Sequence, residues 1–178
     1  AIEADTSRAA EPVADACALY AAELIAEHLP RAVTDGKSIE ARSAMLLGSL
    51  IAGIAFSHSD VGAVHCIAEA LGGMYDIPHG VCNAVCLPAV MRYCRDACGE
   101  RYSRLGAVMG AGPGAAAAVE FVEDLARRVG LPDFRSFRVP AGDFPTVAAK
   151  SAANGSNRDN IPELSARDYA AILAALDG

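Results

Sequence analysis

The sequence predicts an all-helical fold, on three observations. Alanine dominates a chain that is 53% hydrophobic yet only 6% aromatic and has no Trp; Ala has the highest helix propensity and lets helix backbones approach closely. Apolar residues recur at helical spacing along most of the chain. No segment shows a convincing alternation of period two. The 178 residues fit one domain, 1–178, large enough to bury a core, and no repeat or second domain is visible.

The first predicted helix runs from about Pro12 to Leu29, with Val13, Cys17, Tyr20, Leu24 and Ile25 on one face, and Pro30 is expected to end it. Asp35-Gly36-Lys37 reads as a turn. Ser38 opens a second helix through Met45, Leu46, Leu50 and Ile54; being apolar on nearly every side, it is expected to be central. Ser57-His58-Ser59-Asp60 separates it from a helix carrying His65. Pro78 starts the next helix, with Asp76 as its expected cap. That helix reaches about Cys94, and a kink or break is expected at Pro88. Helices over Glu100–Met109 and Ala115–Val129 follow, then an irregular stretch from Pro132 to Phe144. Phe144–Ala153 and Ser165–Leu176 close the chain, Ser165 being a good N-cap.

A net charge of −7 argues against nucleic acid and anionic membranes as partners. No apolar run reads as long enough to cross a bilayer, and no secretory leader opens the sequence. Cys82, Cys86, Cys94 and Cys98 form two i, i+4 pairs. Structural zinc sites use shorter spacings at a knuckle, so these cysteines, with Cys17 and Cys66, read as small buried residues in a reducing, cytoplasmic compartment.

The chemistry concentrates between His65 and Gly80. His65 and Glu69 are four apart and share a helix face. Gly72-Gly73 loosens that helix, and Pro78 sets His79 in the first turn of the next. Two imidazoles can then converge on one divalent cation. A helix N-terminus disfavours protonated His79 and so suits a metal ligand. By pattern alone His65 reads more readily as a satisfied core histidine than as a ligand. Two imidazoles also make a poor site, since catalytic metals have three or more protein ligands.

The runs Gly53-Ile54-Ala55-Phe56-Ser57, Val64-His65 and Leu71-Gly72-Gly73-Met74-Tyr75-Asp76-Ile77-Pro78-His79-Gly80-Val81-Cys82-Asn83-Ala84 resemble the signature of iron-containing (group III) alcohol dehydrogenases. The resemblance reaches both ends of the chain, through Ala1-Ile2-Glu3-Ala4 and through Ser156-Asn157 with Asn160-Ile161-Pro162. It implies the multi-helix C-terminal domain of the dehydroquinate synthase-like / iron-containing alcohol dehydrogenase fold. It also implies an NAD(P)-dependent oxidoreductase of a primary alcohol or aldehyde, with Fe(II), or Zn(II), as Lewis acid. His65 and His79 would be the metal ligands, and Phe56 would line the substrate pocket. In the family an Asp and a His placed just before the segment matching Ala1 to Ala4 supply two further ligands, and an N-terminal nucleotide-binding domain binds NAD or NADP. Neither is found here: Gly110-Ala111-Gly112-Pro113-Gly114 joins two helical patterns and reads as a linker turn. The chain is therefore expected to be inactive alone, to partner that N-terminal domain, and to form a homo-oligomer.

Glu69 departs from the family, which often has His at this place. Its carboxylate could relay a proton as a catalytic group, ligate the metal, pair with a cation of the other domain, or sit solvated. Phe56 could equally be plain core. His58 and Asp60 could contact substrate or lie in solvent, and Asn157 and Asn160 match a loop near the family's substrate cleft. Two other readings stay open: a non-catalytic helical interaction module, and a mononuclear metal hydrolase built on His65, His79 and Glu69 or Asp76.

Overall fold

The computed structural model describes residues 1–178. Its nine α-helices are α1 (Ile2–Thr6), α2 (Pro12–Thr34), α3 (Ile39–Ser59), α4 (Ala63–Tyr75), α5 (His79–Cys94), α6 (Gly99–Met109), α7 (Ala115–Arg128), α8 (Phe144–Ala152) and α9 (Ala166–Asp177). Short 3₁₀ turns fill Phe134–Phe137, Ala141–Asp143 and Gly155–Asp159, and there is no strand. Sequence neighbours pack as pairs: α2 with α3, α4 with α5, α6 with α7, α8 with α9. The main core runs around α4, where Cys66, Ile67 and Leu71 are fully buried against Cys82, Leu105, Val147 and Tyr169.

Small residues set the closest approach. Along α2 the buried residues are all alanines, Ala14, Ala18, Ala21 and Ala22, and α3 meets them with Ala41, Gly48 and Ala55. A Cβ at Gly48 would stand 3.0 Å from Ile25 Cγ1, so a larger residue there would push the pair apart. Ser165 caps α9 in a reciprocal capping box with Asp168, as its position suggests.

Several boundaries differ from the sequence reading. Pro30 lies inside α2, which continues to Thr34. A proline near a helix end forfeits one backbone bond, and here the Asp35–Gly36 turn is the true stop. Pro88 likewise lies inside an unbroken α5. Helix α3 extends through Ser59. Asp76 does not cap α5: it terminates α4 in the left-handed conformation, φ 55°. Helix α3 is peripheral rather than central. Ile39, Leu46 and Leu50 are 74%, 73% and 63% exposed, because only its small-residue stripe meets α2. By length and composition α3 is also apolar enough to cross a membrane, contrary to the expectation from sequence.

A charged cluster ties α1 and α2 to α6. Asp5 is fully buried. Its Oδ1 accepts from Arg104 Nη2 at 2.6 Å, Arg104 also reaches Asp15 Oδ2 at 3.0 Å, and Asp5 Oδ2 has no partner. Burial raises the Asp5 carboxyl above its ordinary 3.8, and Arg104 only partly opposes this. A carboxyl raised on folding contributes stability that is fully present below pH 3.8 and is lost as pH rises through the folded value. Ionised Asp5 is therefore a cost at neutral pH. Asp5→Asn is expected to raise the melting temperature at pH 7 by about 2–4 °C, equivalent to ~1 kcal/mol, because Arg104 keeps Asp15. The gain should vanish in melts below pH 3.8; a gain independent of pH would contradict the burial argument.

Candidate metal centre and the cavity beside it

The N-terminus of α4 is capped by side chains remote in sequence. Gly62 precedes the helix and offers no side chain. Instead, Asn160 Oδ1 accepts from Ala63 N–H at 3.0 Å. Glu3 Oε1 accepts from Val64 N–H at 2.6 Å, and Oε2 from His65 N–H at 3.3 Å. An anion here satisfies first-turn donors and faces the positive end of the helix. Gly62 is required for this: a Cβ there would lie 2.6 Å from Asn160 Oδ1 and 3.0 Å from Glu3 Oε1.

The same Glu3 carboxylate takes the ring proton of His65, with Nδ1–H to Oε2 at 2.5 Å. This fixes the tautomer and leaves the Nε2 lone pair for a ligand, the usual arrangement of a carboxylate behind a metal-binding imidazole. His79 begins α5, and its ring centroid lies 5.3 Å from that of His65 at an interplanar angle of 55°. Two imidazoles each about 2.0–2.1 Å from one cation would have centroids roughly 5 Å apart. The structure thus brings both predicted histidines together. It adds no third donor, for no group of three or more His, Cys, Asp or Glu converges. The donor set fits half of a divalent-metal site.

A largely apolar cavity of about 420 Å³ adjoins His65; Phe56, Asn83, Ile25, Leu29 and Leu125 line it as well. Phe56 is 46% exposed, so it is wall rather than core. Glu69 is placed elsewhere. Its carboxylate accepts from Asn154 Nδ2 at 2.6 Å and lines a separate depression of about 240 Å³ with Gly73 and Lys150.

Among the secondary candidates, His58 is exposed and bonds only to Ile54 O at 2.8 Å. Asp60 Oδ1 accepts from Ser156 Oγ at 2.9 Å. Asn157 and Asn160, read from sequence as cleft residues, are 3% and 7% exposed and are engaged by interior groups. All six cysteines are free, and all but Cys17 are buried. Burial pushes the Cys66 and Cys94 thiols up to about 12, which keeps them neutral and unfit to ligate a cation.

Sequence reasoning missed Glu3 and Asn83 as site residues. Two acids, Glu3 and Asp5, set among Ala1, Ile2 and Ala4 were the available signal, since buried carboxylates must have partners.

The sequence matches the "Fe-containing alcohol dehydrogenase family, C-terminal" over residues 1–176. It is 38% identical to the 1,3-propanediol dehydrogenase of Klebsiella pneumoniae over 181 residues, covering 97% of this chain and 47% of that protein. It is 34% identical to the NAD-dependent methanol dehydrogenase of Bacillus methanolicus, covering 97% of this chain and 48% of that protein. Among solved structures, a 1,3-propanediol oxidoreductase superposes with a TM-score of 0.95 at 37% identity, over 98% of this chain and 48% of that one. The alcohol dehydrogenase from Oenococcus oeni gives 0.93 at 30%, again over 98% and 48%. The chain spans about half the length of the relatives it matches. It belongs to the Fe-containing alcohol dehydrogenase family and corresponds to that family's C-terminal, all-helical domain.

Proposed function

We propose that this chain is the metal-binding half of an NAD(P)-dependent dehydrogenase of small primary alcohols or aldehydes. The observation that carries the reading is the pairing of His65, oriented by Glu3, with His79 beside an apolar cavity. A divalent metal, Fe(II) or in its place Zn(II), would supply Lewis acidity toward the alcohol oxygen. His65 Nε2 and His79 would hold it, and two further ligands would come from outside these residues. Phe56 and its apolar neighbours would shape a dry pocket for a short carbon chain and keep bulk water from the hydride path. The nicotinamide would be bound mainly by an N-terminal domain. Glu69, read from the sequence as a proton relay on the metal-facing side of its helix, is exposed, tied to Asn154 and set in a separate depression, so no proton-handling role is assigned to it. The buried, reduced thiols support a cytoplasmic location, and the exposed apolar face of α3 supports burial against another domain or a second subunit.

The helical interaction module and the metal hydrolase are not favoured. A hydrolase needs a third ligand from Glu69 or Asp76. Glu69 is held by Asn154, Asp76 closes α4, and neither joins the histidines in a donor cluster.

The test is a chimera that joins this chain to the preceding half of the Klebsiella pneumoniae 1,3-propanediol dehydrogenase. The chain alone is expected to show weak cation binding and no turnover, and the chimera NAD-linked oxidation of 1,3-propanediol. His65→Ala or His79→Ala should lower chimera turnover by at least about a hundredfold, since loss of even an outer-shell partner costs 10–100-fold. Full turnover in either variant would remove these histidines from the mechanism.

A further inference from the structure

His65 and His79 differ in what holds them. Glu3 engages the Nδ1 of His65 and leaves its Nε2 free. The partner of His79 is Asn83, one turn along α5, whose Nδ2 stands 3.0 Å from His79 Nε2. A neutral imidazole has one lone pair and one N–H. With the Asn83 amide donating to Nε2, the proton sits on Nδ1 and no lone pair remains for a cation. The rest of Asn83 is unengaged, because its Oδ1 is buried without a partner. Releasing His79 therefore breaks no other hydrogen bond of this side chain. Asn83 also lines the 420 Å³ cavity, which gives a displaced carboxamide somewhere to go.

We propose that Asn83 is a latch on the two-histidine site, its amide occupying the His79 nitrogen that a divalent cation needs and yielding it when the cation binds. The proposal rests on the reading of His65 and His79 as joint ligands. A single hydrogen bond is light enough for a complete ligand set to displace. It is enough to disfavour loading of a half-site by two imidazoles alone.

The 178-residue chain itself serves for the test. Long-range ¹H–¹⁵N correlation spectra report imidazole tautomers. His79 is expected as the Nδ1–H form in the wild-type chain and mainly as the Nε2–H form in Asn83→Leu, which keeps side-chain volume without a donor. In a Co²⁺ titration the half-saturation concentration should fall about two- to tenfold in Asn83→Leu, the value of one net hydrogen bond. Asn83→Ala repeats the measurement should Leu perturb the helix content seen by circular dichroism. An Nε2–H tautomer at His79 in the wild-type chain overturns the latch, as does a half-saturation in both variants equal to or above wild type. Failure of the shared-cation reading looks different: no saturable Co²⁺ binding in any chain, and no change on His65→Ala, while the tautomer spectra still decide whether Asn83 holds His79.

Discussion

Asn157→Ala is expected to lower stability by about 3–5 kcal/mol and the melting temperature by roughly 8–16 °C. Asn157 is 3% exposed, and its carboxamide is saturated. Nδ2 donates to Ala152 O at 3.1 Å and to Leu164 O at 2.8 Å. Oδ1 accepts from Leu164 N–H at 3.2 Å and from Tyr169 O–H at 2.8 Å. One side chain therefore joins the end of α8, the strand-less segment before α9, and α9 itself. Truncation leaves the hydroxyl of Tyr169, which is fully buried, without its acceptor, together with three backbone groups; each such group costs about 1–3 kcal/mol when water cannot reach it. The effects are not additive, so the estimate stays below their sum. It is nonetheless a large share of a typical 5–15 kcal/mol. Tyr169→Phe, which deletes one donor only, should cost about 1 kcal/mol by the same thermal and urea melts. If Asn157→Ala melted like Tyr169→Phe, the three bonds of Asn157 to Ala152 and Leu164 would contribute nothing to stability.

The contrast between Asn157 and the histidines shows what a sequence can and cannot disclose. Helix type was legible, and so was every helix but the short α1 (Ile2–Thr6) that carries Glu3, because alanine content and period-3.6 spacing act locally; the His65 and His79 helices were placed with their glycine break and proline start. Burial was less legible. Helix α3 is apolar on nearly every side, which says that it must be covered but not by what; here Leu46, Leu50 and Ile54 remain exposed. Asn157 and Asn160 matched a loop of the family, so they read as cleft residues. Their structural work depends on partners such as Tyr169 and Ala63, which no local pattern links to them. Asp76 had the composition of an N-cap, yet it fits a left-handed helix end equally well, and only tertiary placement decides between the two.

Glu3 is where fold and site meet, and its two conservative losses should separate them. Glu3→Ala is expected to cost about 2–4 kcal/mol, because Val64 N–H and His65 N–H lose charge-assisted bonds at a helix start that has no cap of its own. Glu3→Gln should cost less, about 1–2 kcal/mol, since its amide oxygen can still accept from Val64 N–H. The chemical consequence of Gln is the larger one. The carboxylate now accepts the Nδ1 proton of His65, whereas an amide NH₂ at that point must donate. His65 would then carry its proton on Nε2, the nitrogen that faces the proposed cation, and would have no lone pair to offer. Glu3→Gln is therefore expected to fold, with its melting point only modestly reduced, yet to lose cation binding as completely as His65→Ala. The tautomer of His65, read from the same ¹H–¹⁵N spectra, should change from Nδ1–H to Nε2–H. A Glu3→Gln chain that keeps the Nδ1–H tautomer and binds Co²⁺ like wild type would show that Glu3 merely caps α4 and leaves the chemistry of His65 alone.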